Sequence, residues 1–544
     1  MNFSLPTQVN TKSWDFDFKL HPSSIGILFF NCCLFALTFI LCMSINWFTL
    51  FLTLLSIQLG ALIVLKKKKD KKKLHSILLY TSQLYLIITI VMWIAYNTYV
   101  DTGLRSVTPA FTDFYFYHNL FVVPSFNFEF ALGIDSISLL FLLLTNLFIY
   151  LCILSLPTYQ ERFNEIMLYL IFLQWGLILS FCVLDLFGFF IFFEMTLIPI
   201  YFLVLIWGSR ERKIRASYLI SIYTLFGSIF MFFTIIYLYN KIGTTNYLYL
   251  TTMNFNLDDQ FWLWLFFFCA FAAKIPMFPF HIWLPEAHVE APTVGSVLLA
   301  ALLLKLGTYG LIRFSLILFP EGTLNFNTYI SIFALISIIY TSLIAIRQID
   351  LKKIIAYSSV GHMNVVLLGI IIINVENLEG AIFQMISHGI VSGALFFCIG
   401  SFYKRYKVRS LKYFGGFMQI NPLLSVIFLI FSMANISFPG TSSFVGEFVL
   451  LIGLFSNTSL IVLLASINMV TGAVYTLWAY NRIAFGNIKN LIIKDNLDLT
   501  RNEFYIFAIL IYFLLLLGLQ PNVVFDLLHW DCMNIIEHIK LSLI

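Results

Sequence analysis

The chain has 544 residues, of which 60% are hydrophobic and 11% charged, and its mean hydropathy is +0.92. Soluble domains run at roughly 45–50% apolar and about 25% charged, so the composition excludes a water-soluble globular enzyme and describes a polytopic membrane protein. The net charge of +5 is no sign of nucleic-acid binding, because most basic residues lie in short connections between apolar runs, where they set orientation.

Apolar runs of about 20 residues, the length that crosses the hydrocarbon core as a helix, recur almost without pause. None alternates with period two as barrel strands do. The predicted fold is all-α, with about fifteen spans near 25–44, 47–65, 76–97, 136–156, 165–183, 185–207, 216–240, 261–280, 294–318, 328–346, 353–373, 379–402, 423–455, 460–484 and 504–520. The leading segment MNFSLPTQVNTKSWDFDFKL carries Asp15 and Asp17 and no arginine, which fits neither a transit peptide nor a secretory signal. Between spans, the longest stretch (98–135) contains FTDFYFYHNLFVVPSFNFEF and is expected to form an aromatic interfacial cover. With the N-terminus on the inner face, inner loops collect 26 of the 32 Lys and Arg residues, among them KKKKDKKK (66–73), RERKIR (210–215) and KRYKVRSLK (404–412). The lysine tract is read as an anchor on anionic lipid. Only Arg105, Lys241 and Lys540 fall on the opposite face, and Lys274, Lys305 and Arg313 remain inside spans. Arg313, near a span end, is expected to snorkel to the outer face.

Two spans carry helix breakers. KIPMFPFH places Pro276 and Pro279 just after Lys274, and NISFPGTSSFVGEF places Pro439 and Gly440 ahead of Glu447. Both are predicted to be broken helices whose freed backbone groups line a cavity or are satisfied by protein. Each break falls in the fourth of five spans, counted from 165 and from 328. Because five is odd, the second set enters the membrane from the opposite face. The expected organisation is N-terminal spans with an extension (1–130), a leading helix (131–164), two inverted five-helix repeats (165–318 and 328–484) and a C-terminal helix and tail (504–544). Transporters built this way place their site near the midplane at the repeat interface.

Along that frame the ionisable residues inside spans are Glu194, Lys274, Lys305, His362, His388 and Glu447. A charged group at the bilayer centre costs at least ~2.5 kcal/mol on insertion scales and must face protein or water. Each of the six can change protonation, so the set suits a proton relay. Making or breaking a Glu194–Lys274 contact, worth about 4 kcal/mol at ~4 Å and an effective dielectric of ~20, would load or release a proton. The plainer alternatives are structural histidines and a static Glu194–Lys274 pair that fixes helix packing. Asp185, at a span boundary, reads as interfacial or capping. His281, Glu286, His288 and Glu290 in HIWLPEAHVEAPT resemble a metal-ligand cluster, but H-x6-H matches no zinc spacing; an interface or proton-uptake loop is the favoured reading, with no metal. The eight cysteines show no C-x-x-C or ferredoxin spacing. Neither G-x-x-x-x-G-K-[ST] nor a G-x-G-x-x-G after a strand occurs, which disfavours an ATP-driven pump and places electron chemistry on other chains.

The stretches VLDLFGFFIFFEMTLIPIYFLVLIWG, KIPMFPFHIWLPEAHVEAPTVGSVLLAALLLKLGTYGLIRF, RQIDLKKIIAYSSVGHMN, ISHGIVSGALFFCIG and PGTSSFVGEF closely resemble the subunit 4 family of respiratory complex I (NADH:ubiquinone oxidoreductase), antiporter-like subunits of its membrane arm. The resemblance runs from about 130 to 486. It implies that Glu194 and Lys274 are the family's carboxylate–lysine pair, Lys305 its central lysine, His362 and His388 its connecting histidines and Glu447 its terminal acid, where the sister subunit 5 generally has lysine. Family members have fourteen spans, so one additional N-terminal span is implied. The expected function is proton translocation driven by NADH oxidation and quinone reduction elsewhere, with NADH, FMN, iron–sulfur clusters and ubiquinone on partner subunits and none bound by this chain. Expected partners are the sister antiporter-like subunits 2 and 5 and bound lipid, with no nucleic acid. The alternatives are a cation/proton antiporter subunit and a non-conducting scaffold. The lack of a presequence, the Phe/Ile/Lys/Asn bias expected of A+T-rich coding and the additional N-terminal span together favour an organelle-encoded protein of the mitochondrial inner membrane, lysine-rich loops toward the matrix, over a bacterial plasma membrane.

Overall fold

The computed structural model describes residues 47–68, 70–101, 114–123, 127–488 and 498–543; the predicted span 25–44 lies outside the described residues. In chain order the elements are α1 (Trp47–Lys68), α2 (Lys71–Asp101), β1 (Phe116–Val123), β2 (Phe128–Ile134), α3 (Ser136–Ser155), α4 (Phe163–Cys182), α5 (Leu186–Met195), α6 (Leu197–Trp207), α7 (Lys213–Ile242) and α8 (Leu257–Lys274). There follow α9 (Trp283–Glu290), α10 (Thr293–Leu318), α11 (Pro320–Arg347), α12 (Leu351–Ile371), α13 (Val375–Tyr406), α14 (Pro422–Asn435), α15 (Ser442–Phe455), α16 (Ser459–Ala484), α17 (Arg501–Leu519) and α18 (Asn522–Leu543). Among the described residues, 12 helices are long and apolar enough to cross a membrane, α5 and α6 together forming one of them. The two broken helices, α8 with its irregular continuation and α14 with α15, complete the all-α polytopic fold. Helices α10 and α13 are buried along their whole spanning windows and α12 almost so. On the rim, α7 exposes Ile222, Phe226 and Phe233 as an apolar face.

Both breaks satisfy the backbone groups they free, as a low-dielectric surrounding demands. After α8, the Trp283 indole donates to Ala273 O (2.9 Å), and Phe278 N–H donates to Ser337 Oγ (2.8 Å). Between α14 and α15 the turn begins at Ile436, ahead of Pro439; Ser437 and Gly440 take positive φ (64° and 89°), and Ser443 Oγ donates to Ala434 O.

The structure departs from sequence expectation in four places. The span predicted over 185–207 is interrupted at Thr196: Pro199 has no N–H for the Met195 carbonyl four residues earlier, and the helix restarts as α6. Strands β1 and β2 pair as an antiparallel hairpin, Phe116 opposite Ile134 and Val123 opposite Phe128, within the stretch read only as an interfacial cover. Helix α10 holds two π-helical segments, Leu299–Leu303 and Leu311–Ser315, on either side of Lys305. The tail after 520 is a full helix, α18, docked through Asp531, whose Oδ2 accepts from Tyr96 OH (3.1 Å), Ser136 N–H (3.0 Å) and Ser136 Oγ.

Arg313 requires a correction. It does not snorkel: it is buried and ion-paired with Asp135, the N-cap of α3, while Tyr309 and Tyr247 flank the guanidinium. The apolar sequence around Arg313 holds no acid because its partner comes from a segment 178 residues away.

Candidate proton-carrying line

Lys305 sits in the first regular turn after the π segment of α10, fully buried. A π turn shifts the backbone hydrogen bonds from i→i−4 to i→i−5. The Lys305 ammonium lies at this junction and donates to Ala300 O, five residues back (2.6 Å). Its second contact is to His388 Nδ1 on α13, at 2.9 Å. The His388 ring stands 5.7 Å, centroid to centroid, from that of His362 on α12. His362 Nδ1 in turn lies 2.6 Å from Glu447 Oε1 on α15, with an Nδ1–H donating to the carboxylate. Four ionisable residues from four helices therefore form one buried line, closed by direct contact except between the two rings. Each ring keeps a buried Nε2 without a partner among the described residues. In space His388 comes first and His362 second, the reverse of their order along the chain.

The second break positions the acid at the end of this line. Ser437, in the turn, donates to Glu447 Oε2 (2.6 Å), and Gln384 Nε2 of α13 donates to Oε1 (3.1 Å). Ser387 Oγ donates to Gln384 Oε1 (2.9 Å) and fixes that amide. Neither Gln384 nor Ser437 was singled out from sequence; the available signal was Gln384 one helical turn before His388 on the same buried helix.

At the other end, Lys274 is buried at the last turn of α8 and does not pair directly with Glu194. Its ammonium donates to Phe193 O (2.7 Å) and lies over the Phe193 ring (3.1 Å to the centroid). The carboxylate oxygens of Glu194, the next residue, are buried without a hydrogen-bond partner among the described residues, with Lys274 and Ser228 of α7 in their surroundings. Phe193 O also accepts from Thr196 Oγ1 (2.9 Å) at the α5–α6 interruption. A cavity of about 20 Å³ joins Lys274 and Thr196 to Leu299 and Leu303 of the π segment, room for about one water. Pro276 and Pro279 lie in the irregular segment beyond Lys274, and Pro439 and Gly440 in the α14–α15 turn.

The loop residues separate into two environments. Glu286 pairs with Lys353 (3.0 Å), partly exposed, and the His281 ring packs on Tyr340 (5.6 Å). His288 and Glu290 are buried, His288 stacked on Phe396 at 4.6 Å. Burial, reinforced by the charges of Lys352 and Lys305, lowers the His288 pKa to about 3, so the ring is neutral at neutral pH. These four residues do not converge on a point, and no group of three or more His, Cys, Asp or Glu able to hold a metal ion occurs among the described residues. Asp185 caps α5, accepting from Gly188 N–H (2.8 Å) and Thr245 Oγ1 (2.6 Å).

Residues 183–472 match the family model described as NADH:quinone oxidoreductase/Mrp antiporter, transmembrane. The chain is 46% identical to NADH-ubiquinone oxidoreductase chain 4 of Marchantia polymorpha over 488 residues, 89% of this chain and 96% of that one. It belongs to the NADH-ubiquinone oxidoreductase chain 4 family. The chain 4 of Chondrus crispus is 44% identical over 493 residues, 90% of this chain and 98% of that one. Among solved structures, a chain of respiratory complex I from Thermus thermophilus with bound NADH superposes with a TM-score of 0.76 at 26% identity, covering 89% of this chain and 99% of that chain. A chain of an archaeal membrane-bound sulfane sulfur reductase superposes with a TM-score of 0.75 at 20% identity, a likeness of fold alone. As a chain 4 family member with this antiporter-like fold, the protein is a proton-translocating membrane subunit of complex I.

Proposed function

We propose that protons cross this subunit along Lys305, His388, His362 and Glu447, with Glu194 and Lys274 setting the charge state of Lys305. The carrying observation is the line itself: Lys305 to His388 at 2.9 Å and His362 to Glu447 at 2.6 Å, groups that each bind and release a proton. One water between the two rings completes the path, since a bridging water carries a hydrogen bond nearly as well as direct contact. Lys274, at rest on a backbone carbonyl, is placed to swing between Phe193 O and the Glu194 carboxylate. Forming that ion pair withdraws or restores positive charge across the single-water cavity that leads toward Lys305. The broken helices fall in the fourth place of two successive runs of five, which supports the inverted five-helix repeats and a site between them.

NADH oxidation and quinone reduction on other complex I subunits supply the driving energy, and cofactors reside there. Sister membrane-arm subunits, subunits 2 and 5 among them, and phospholipid are its neighbours. The lysine-rich connections face the matrix of a mitochondrial inner membrane, as the positive-inside rule requires. The test is Glu447→Gln in the assembled complex: a glutamine keeps the size of the side chain and can still accept from Gln384 but cannot ionise. Proton transfer is expected to fall at least tenfold with assembly intact. Loss of assembly with unimpaired transfer in the complex that remains would favour a scaffold.

A further inference from the structure

At the ends of α3 and α6, beside the starts of α10 and α12, lies a cavity of about 290 Å³ lined by Lys352, Lys404, Lys407 and Arg409 and by no carboxylate. Two of these cations are buried, Lys352 at 3% exposure and Arg409 at 4%. Lys352 Nζ donates to Ala291 O (2.7 Å), and Arg409 donates to Val289 O and lies over the Tyr403 ring (5.5 Å to the centroid). Neither has a carboxylate within 4.0 Å among the described residues, although a buried charge is costly unless paired. Glu290 interacts electrostatically with both, Asp350 with Arg409, and Arg210 adds a further positive charge. Glu503 is already engaged, 2.6 Å from Arg405 and 3.8 Å from Lys404. Part of the remaining wall is apolar, formed by Leu156, Ile166, Leu203, Val294 and Trp207, and part is polar, with Gln160, Ser209 and Thr293. A basic pocket against an acyl-compatible wall, at the membrane edge of a helix bundle, has the chemistry of a headgroup site.

We propose that this cavity binds an anionic phospholipid, its phosphate between Lys352, Arg409 and Lys407 and its acyl chains along the apolar wall. The assignment rests on the membrane placement proposed above and is independent of the proton line. The phosphate supplies the counter-charge that the two buried cations lack.

The assembled complex is equilibrated with detergent micelles doped with phosphatidylglycerol or with phosphatidylcholine of matched chains, and retained lipid is counted by native mass spectrometry. Two variants are compared with the wild type, Arg409→Gln and Lys407→Asn; the latter side chain is exposed and its left-handed backbone (φ 56°) suits asparagine. One phosphatidylglycerol more than in the variants is expected on the wild type, with retention weakened about fivefold for each basic group removed and unaffected by excess inorganic phosphate. Equal retention of both lipids, indifference to both variants, or displacement by inorganic phosphate would overturn the site. Retention of neither lipid by the wild type would likewise overturn the site, while leaving the membrane placement standing on the twelve spanning helices.

Discussion

Lys305 illustrates what a buried cation needs when no carboxylate is at hand: a carbonyl of the π segment and an imidazole nitrogen, both within 3 Å. Its proton therefore has one ionisable neighbour to reach, His388. Coupling should follow contact and not chain order. In double-mutant cycles on the thermal stability of the assembled complex, Lys305 is expected to couple more strongly to His388 than to His362, and Glu447 more strongly to His362 than to His388; the reverse pattern would contradict the spatial order. Arg313 and Asp135 obey the opposite rule, a buried pair held for structure. Removing one partner of such a pair costs about 3–5 kcal/mol, so Arg313→Ala should sharply reduce the yield of assembled complex, while Arg313→Leu combined with Asp135→Leu recovers part of it. Burial alone would raise the Asp135 carboxyl, but the Arg313 guanidinium, with Ser138, holds it below its ordinary 3.8. A carboxyl lowered in the folded state contributes stability that is fully present above that ordinary value and is lost as the pH falls through the lowered one. Thermal denaturation from pH 6 down to 3 should therefore separate wild type from the double leucine variant only while Asp135 is ionised.

Glycines bring α13 and α15 close enough for Gln384 to hold Glu447. A Cβ at Gly446 would stand 2.5 Å from Gln384 Oε1 and 3.0 Å from its Cα, and a helix backbone cannot give way as a side-chain end can. Gly446→Ala is expected to cost about 1–3 kcal/mol and to lower proton transfer by displacing the Gln384 amide, although it touches no titratable group. Unchanged transfer in a folded complex would show that the amide is dispensable. At this scale the sequence was legible wherever one segment carries the whole cause. Pro276 with Pro279, and Pro439 with Gly440, announce their breaks because proline removes a donor. The α5–α6 interruption at Thr196 was missed although Pro199 does the same there, since an uninterrupted apolar run outweighed a single proline. The π segments flanking Lys305 have no compositional mark, because their sequences, LAALL and LIRFS, hold no helix breaker.

Across the whole molecule, partners from distant segments complete what local sequence leaves open. Lys305, His388, His362 and Glu447 were each visible as midspan ionisable residues; their reversed spatial order was not, because it depends on how α12, α13 and α15 cross. Asp531 reaches Ser136 from 395 residues away, and through it α18 closes over the start of α3. Truncation after Leu519 should strip this anchor and reduce assembled complex, measured on native gels, while single changes at exposed positions of α18 should not. The account's central claim is that Lys305 carries the proton. Its most direct test is the number of protons translocated per electron by Lys305→Ala complex reconstituted in sealed vesicles, with assembly verified. A lower ratio than wild type is predicted; an unchanged ratio in the intact complex would contradict it.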